Sequence, residues 1–325
     1  METMDDVLIL GGGPAGCTAA LYAARSALKT RILEKLAPGG QMATTDHIDN
    51  YPGFPEGIEG YALGSRMEQQ AVQFGAQITV GEAVGVSLEG KVKTVEIADG
   101  TLLKARTVIV APGASPRELG LPKEAEFRGR GVSYCATCDG AFYRGKRVAV
   151  VGGGDTAAVD ALFLSRICRQ VILVHRRGEM RAAKAYRQRL EAAENVEFVW
   201  NSEVTALTAG DRIEGITVRS RIDGSTQAIP CDGVFIAVGT VPNTQLFRGI
   251  LDMDEAGYLS AGEDTRTNLS GVFAVGDARR KPLRQVLTAA ADGAVAAYMA
   301  VSYTHLDVYK RQLYHRKAGK SRNPC

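Results

Sequence analysis

The sequence predicts an α/β protein of two Rossmann-like, three-layer ββα domains, one inserted in the other. Two observations carry this. A short apolar strand that runs into a glycine-rich loop and then a helix pattern occurs twice, at Gly11 and 141 residues later at Gly152. A buried-strand pattern ending in glycine also occurs twice, at Thr107 to Gly113 and at Val234 to Gly239, and brackets the second unit.

In the first unit Val7 to Leu10 is the strand, Gly11-Gly12-Gly13-Pro14-Ala15-Gly16 the loop, and an alanine-rich helix follows to about Ala27. Gly11 suits the tight turn, Gly13 a close approach of backbone to a pyrophosphate, and Gly16 the packing of helix on strand. The helix start then offers free amides and the positive dipole end to phosphate. A second strand, Thr30 to Leu33, ends at Glu34, whose carboxylate suits a ribose diol. Pro38-Gly39-Gly40-Gln41 and Asp49-Asn50-Tyr51-Pro52-Gly53-Phe54-Pro55 read as turns, and Thr79 to Ile97 as a small antiparallel sheet.

In the second unit the ungapped shift sets Gly11 on Gly152, Gly13 on Gly154 and Gly16 on Ala157. The register holds through the strand Val171 to Val174, where Glu34 falls on His175, followed by Arg176, Arg177 and, one turn on, Arg181. A carboxylate tolerates a free 2′-hydroxyl and repels a 2′-phosphate, whereas guanidinium groups pair with that phosphate. The first loop is therefore expected to take an FAD-like or NAD-like ligand and the second NADPH. Residues 117–240 form the inserted domain, residues 1–113 and 241–300 the outer one. The chain re-enters the latter through the strand Gly271 to Asp277 and a helix from Val286 to Met299.

Just upstream of the second loop stands Ser133-Tyr134-Cys135-Ala136-Thr137-Cys138-Asp139. Cys-x-x-Cys serves redox exchange or half a zinc site. Zinc needs two further ligands close together. The remaining cysteines (Cys17, Cys168, Cys231, Cys325) and the four histidines are scattered, so no metal site is expected. Two inert core thiols are the bland alternative, which the short spacing and the trailing Asp139 disfavour.

Six cysteines in 325 residues do not make a secreted disulfide framework, and a reducing, cytoplasmic setting fits better. No basic leader opens the chain, and no run of about 18 apolar residues reads as a membrane span. Residues 301–325 hold six Lys/Arg and one Asp, so the rest of the chain carries −2 of the formal +3 and offers no basic nucleic-acid surface. The twelve residues VSYTHLDVYKRQ, from Val301, resemble a translated transposase-end adapter, and the basic run after them reads as structureless. Residues 301–325 are thus expected to be a non-native tail.

The motifs GGGPAG, GGQ, CATCD, GGGDTA, HRR with Arg181, GVFAVGD and RQV, in that order over residues 5–300, resemble the bacterial-type, low-molecular-weight thioredoxin reductases. These are flavoproteins of the pyridine nucleotide-disulfide oxidoreductase class II. The resemblance implies FAD on Gly11, Gly13, Pro14, Ala15, Glu34, Gly40, Gln41, Asn50, Val84, Gly113, Gly276, Asp277, Arg284, Gln285 and Val286. It implies NADPH on Gly152, Gly154, Asp155, Thr156, His175, Arg176, Arg177 and Arg181. It implies further that Cys138 faces the flavin, that Cys135 attacks thioredoxin, that Asp139 protonates the leaving thiolate, and that the enzyme is a homodimer. Nicotinamide and dithiol would then ride on one domain, which calls for rotation about linkers near residues 114–117 and 240–243. Pro112 stands where threonine is commoner in that family. A flavin-dependent reductase or oxidase serving another dithiol partner, and a non-catalytic FAD redox sensor, are the other readings.

Overall fold

The computed structural model describes residues 4–44, 48 and 50–320, with side chains as far as Thr304 except that of Thr44; Asp49 and Cys325 lie outside the described residues. The chain divides into two compact units, residues 1–44, 60–115 and 242–325, and residues 45–59 and 116–241. The sequence left segment 45–59 with the first unit; it groups with the second. Ile48 and Ile58 close it into a loop through backbone bonds of 2.8 and 3.1 Å.

The first unit begins with β1 (Asp5–Leu10), α1 (Pro14–Arg25), β2 (Thr30–Glu34) and a 3-10 turn at Gly40–Thr44. Then come α2 (Gly60–Gln73), β3 (Gln77–Val80), β4 (Ala83–Ser87), β5 (Lys93–Ile97) and β6 (Leu102–Val110), and β7 (Ala114–Pro116) leads out. The second unit holds β8 (Val132–Ser133), α3 (Ala136–Asp139), β9 (Arg147–Gly152), α4 (Asp155–Ser165), β10 (Gln170–Val174) and α5 (Lys184–Glu191). It continues through β11 (Val196–Val199), β12 (Ser202–Ala209), β13 (Ile213–Ser220), β14 (Thr226–Pro230) and β15 (Gly233–Ala237). β16 (Thr240–Pro242) pairs with β7 and leads back to β17 (Val272–Ala274) and α6 (Val286–Lys320).

Each unit is a three-layer ββα fold, as the sequence predicts. In the first, β3-β2-β1-β6 is a parallel layer, and β6 belongs to two layers at once. Its Val108, Ile109 and Val110 pair with β17, while Leu102, Leu103, Lys104 and Ala105 pair antiparallel with β5. One core lies between the parallel layer and α1, α2 and α6; the other lies on the β4–β5 side. In the second unit β11-β10-β9-β15-β8 is wholly parallel, with β12-β13-β14 as the antiparallel layer. The fully buried runs Val148–Val150 and Val171–Leu173 explain why these strands read as continuous apolar stretches rather than alternating ones.

Two expectations need correcting at α6. The helix does not stop at Met299, nor is the basic run structureless: α6 continues to Lys320. No Pro or Gly interrupts the sequence between Gly293 and Gly319, so nothing local ends the helix. Thr304 is buried, its hydroxyl within hydrogen-bond reach of Ala300 O and Val301 O at 3.0 and 2.8 Å, and the Lys93 ammonium lies 5.5 Å from the centroid of the Tyr303 ring. Val286–Thr304 also reaches a mean hydropathy of 1.3 and is long enough to cross a bilayer, which Asp292 and Gly293 hide from a run-length reading. Its buried face, Ala289, Ala296, Ala297 and Ala300, belongs to the core it shares with α1.

Candidate active site: two nucleotide loops and a dithiol

Both glycine loops start pressed against a carbonyl, Gly11 against that of Ala111 and Gly152 against that of Ala237. Gly11 sits at φ +111°, where a Cβ would overlap the carbonyl oxygen of Ala111, and a Cβ on Gly16 would overlap the carbonyl oxygen of Gly11. The loop is thus pressed against β6 and α1. Gly13 differs: the nearest atom to its added Cβ is Gly40 Cα at 4.0 Å. α1 has Gly13 as N-cap, Pro14 at its first position and no side-chain cap, so its first amides stay available. Glu34 Oε2 accepts the Gly12 amide at 2.6 Å and Oε1 that of Leu36 at 3.2 Å, which fixes the carboxylate at the loop while leaving lone pairs on both oxygens.

Across the unit, the Gly276–Ala278 turn presents Asp277. Its Oδ1 is buried with no hydrogen-bond partner, and burial raises its pKa although Lys281 and Arg284 pull the other way. A buried, unpartnered carboxylate oxygen beside an uncapped helix start fits a ligand with hydroxyl donors and phosphates. Arg284 donates to Asp277 O at 3.3 Å and stands 4.1 Å from the Tyr258 ring centroid. Gln41 and Asn50 are exposed, as is Val84 on β4, and Gly113 takes φ +70°. Gln285 and Val286 stand at the start of α6, where Thr288 Oγ1 accepts the Gln285 amide at 3.1 Å.

The sequence did not single out Asp292, which holds this turn. Its carboxylate accepts the Gly276 amide at 3.0 Å, Arg279 through Nε and Nη2 at 3.2 and 2.7 Å, and Lys281 Nζ at 2.9 Å. A Cβ on the neighbouring Gly293 would overlap Ala15 O, so α6 registers the Asp277 turn against the start of α1. Its signal was an acid inside an alanine-rich helix. Asp292→Ala strips a buried carboxylate from two cations, and the expected loss is about 3–5 kcal/mol of stability, read by thermal or denaturant unfolding.

In the second unit α4 is likewise N-capped by glycine, Gly154, with nothing within 4 Å of an added Cβ. A Cβ on Gly153 would overlap the imidazole of His175, so His175 covers Gly153 as Glu34 covers Gly12. His175 is buried, its Nε2 has no partner, and burial followed by Arg176, Arg177 and Arg181 depresses its pKa, keeping the ring neutral at neutral pH. Arg176, Arg177 and Arg181 are exposed, and none is in a salt bridge among the described residues. The backbone aims the last of them: Arg181 N–H donates to Gly153 O at 2.7 Å, and Asp155 Oδ1 accepts the Ala183 amide at 2.8 Å. Thr156 is exposed in the first turn of α4.

On the same unit Cys135 and Cys138 form a disulfide, with their Cα atoms 5.3 Å apart. Cys135 caps α3, its carbonyl taking the amides of Cys138 and Asp139 at 3.2 and 3.1 Å. Gly140 has no room for a side chain, since a Cβ would come 2.7 Å from the Phe163 ring, so the redox turn is seated on α4. The other described cysteines are buried, and burial pushes the thiols of Cys17, Cys168 and Cys231 up to about 12, 11 and 12. They carry no thiolate at neutral pH, so among the described cysteines disulfide chemistry is confined to Cys135–Cys138. Among the described residues no cluster of His, Cys, Asp or Glu is fit to hold a metal.

Residues 5–293 match the family model described as pyridine nucleotide-disulphide oxidoreductase. The chain belongs to that family. Among curated members of the pyridine nucleotide-disulphide oxidoreductases, it is 46% identical over 305 residues to a thioredoxin reductase of Streptomyces clavuligerus, covering 93% of this chain and 95% of that one. It is 44% identical over 297 residues to a bifunctional thioredoxin reductase/thioredoxin of Mycobacterium leprae (strain TN), covering 91% of this chain and 65% of that longer protein. A crystal structure of thioredoxin reductase from Streptococcus pyogenes MGAS5005 matches with a TM-score of 0.87 at 40% identity, over 94% of this chain and 99% of that one.

Proposed function

We propose that the chain is an NADPH-dependent thioredoxin-disulfide reductase. The observation that carries this reading is a disulfide, Cys135–Cys138, on the same unit as a nucleotide loop flanked by Arg176, Arg177 and Arg181, none of them in a salt bridge among the described residues. The named relatives support it, and the Mycobacterium leprae protein joins reductase and thioredoxin in its own name.

FAD would be held by residues 1–113 and 241–300: the first N–H groups of α1, from Ala15 on, for its phosphates, Glu34 for a ribose diol, and Asp277 for a hydroxyl. NADPH would be held by 117–240, with Arg176, Arg177 and Arg181 on the 2′-phosphate and the amides after Gly154 on the pyrophosphate. When bound, the two cofactors supply a hydride donor and a two-electron relay to the disulfide.

The chain's own part is thiol-disulfide exchange. Once the pair is reduced, the Cys135 thiolate attacks a sulfur of the thioredoxin disulfide; an S–S bond forms between the proteins and the partner's S–S bond breaks. Asp139 gives its proton to the thiolate that leaves. Cys138 then attacks Cys135 Sγ, restoring the internal disulfide and releasing the second thiol. Two electrons and two protons have moved to thioredoxin. The same reading makes the enzyme a cytoplasmic homodimer.

The test is anaerobic. NADPH added to the FAD-loaded protein is expected to bleach the flavin, NADH to do so far less well, and added thioredoxin to restore the colour with one disulfide reduced per NADPH. Bleaching without thioredoxin-dependent turnover would sink the reading.

A further inference from the structure

Ser133 has no place in the exchange chemistry above, yet its hydroxyl stands at the centre of the redox turn. It ends β8, paired with Phe235 of β15, and is 3% exposed. Its Oγ lies 2.6 Å from Asp139 Oδ2, 3.1 Å from the Cys135 amide nitrogen and 3.3 Å from the Cys135 carbonyl oxygen. A hydroxyl has one proton and two lone pairs. It can therefore donate to Asp139 or to Cys135 O, not to both, and while Asp139 is ionised the short, charge-assisted contact wins. The Cys135 amide occupies one lone pair in either case.

We propose that Ser133 is a positioning residue that lets Asp139 change protonation state without moving. With Asp139 ionised, the Ser133 proton points at Oδ2. With Asp139 protonated, the carboxyl O–H donates to the free lone pair of Ser133 Oγ, and the Ser133 proton turns to Cys135 O, an acceptor already within reach. Ser133 Oγ, Asp139 Oδ2 and the Cys135 amide each keep a partner in both states, so a proton can leave Asp139 and return as the dithiol cycles. The hydroxyl also ties the acid to the backbone of the attacking cysteine, so the two act at a fixed separation.

This rests on Asp139 being the acid of the proposed exchange. Other titratable groups stand on elements packed against α3. Tyr143, in the next 3-10 turn, is pushed up to about 12 by burial and then by the Asp139 charge. Asp160 on α4 is pushed up to about 7 by burial, and Asp155 lies exposed at the start of α4. The experiment has to separate Asp139 from these.

The readout is the pH profile, between about 5 and 9, of the rate at which the NADPH-reduced holoenzyme is reoxidised by thioredoxin and, separately, by 2-hydroxyethyl disulfide. The limb that vanishes in Asp139→Asn belongs to Asp139. Ser133→Ala removes a donor to the carboxylate, so that limb is expected to move up by about one pH unit. Ser133→Thr keeps the hydroxyl and is expected to hold the limb in place. In the Asp139→Asn background Ser133→Ala is expected to change the profile no further. An unmoved limb, or an equal change with and without Asp139, overturns the proposal. Should Ser133→Ala not fold, Ser133→Thr against Ser133→Val poses the same comparison on one shape. A parent reoxidised by the small disulfide but not by thioredoxin would sink the partner assignment, while the small disulfide still reads Ser133.

Discussion

Cys138→Ser is expected to lower NADPH-dependent reduction of thioredoxin by roughly a thousand-fold or more, because a serine hydroxyl can neither accept the electron pair as a disulfide nor displace the mixed disulfide at Cys135. Cys135→Ser should do the same, but by a different route. With Cys138 alone, nothing attacks the partner; with Cys135 alone, attack occurs and the adduct cannot resolve. Mixed with oxidised thioredoxin after reduction, Cys138→Ser is expected to accumulate a covalent complex of one chain with one thioredoxin, visible on a non-reducing gel, and Cys135→Ser is not. The other described thiols cannot take over, since Cys17, Cys168 and Cys231 are buried and held protonated. A Cys138→Ser protein that turns over near the parental rate would refute both the pairing and its use.

What made this legible in sequence was repetition. One strand–loop–helix unit could be any glycine turn, but two in register exposed the most informative column in which they differ, Glu34 against His175. The structure gives that column a physical meaning, because each side chain lies over the middle glycine of its own loop. Strands buried on both faces also announce themselves, as at Val148–Val151 and Val171–Val174. Three things were not legible. The length of α6 was misread because tail composition was taken for lack of structure, whereas a run free of Pro and Gly continues any helix that precedes it. An acid inside an alanine-rich helix and a serine beside the dithiol both stand out, but the partners of Asp292 and Ser133 are not marked along the chain. Asp292 meets Arg279 and Lys281 only once α6 has folded back on the turn, and Ser133 meets Asp139 only once α3 has formed. Those are properties of closure, and single-sequence patterns do not record closure.

The column contrast leads to the second large effect. Arg176 and Arg177 are exposed and in no salt bridge among the described residues, so replacing both with alanine should cost little stability. Each bond from a guanidinium to a phosphate dianion is worth about 1.5–3 kcal/mol, or roughly a tenfold to hundredfold in affinity. The double variant is expected to raise KM for NADPH by roughly a hundredfold or more while leaving that for NADH within a few-fold, since NADH lacks the group the two arginines grip. Losing the preference for NADPH is not the same as gaining one for NADH. The first unit shows what that would take, a carboxylate over the middle glycine that accepts its amide, as Glu34 does from Gly12. Adding His175→Glu to the double variant places a carboxylate in that position over Gly153. It is expected to lower KM for NADH and to depress NADPH binding further, through repulsion of the 2′-phosphate. Measuring kcat/KM for both nucleotides with thioredoxin held saturating reads the switch directly. If NADPH remained the better substrate of the triple variant by its parental margin, the 2′-phosphate would have to be read elsewhere than at His175, Arg176 and Arg177.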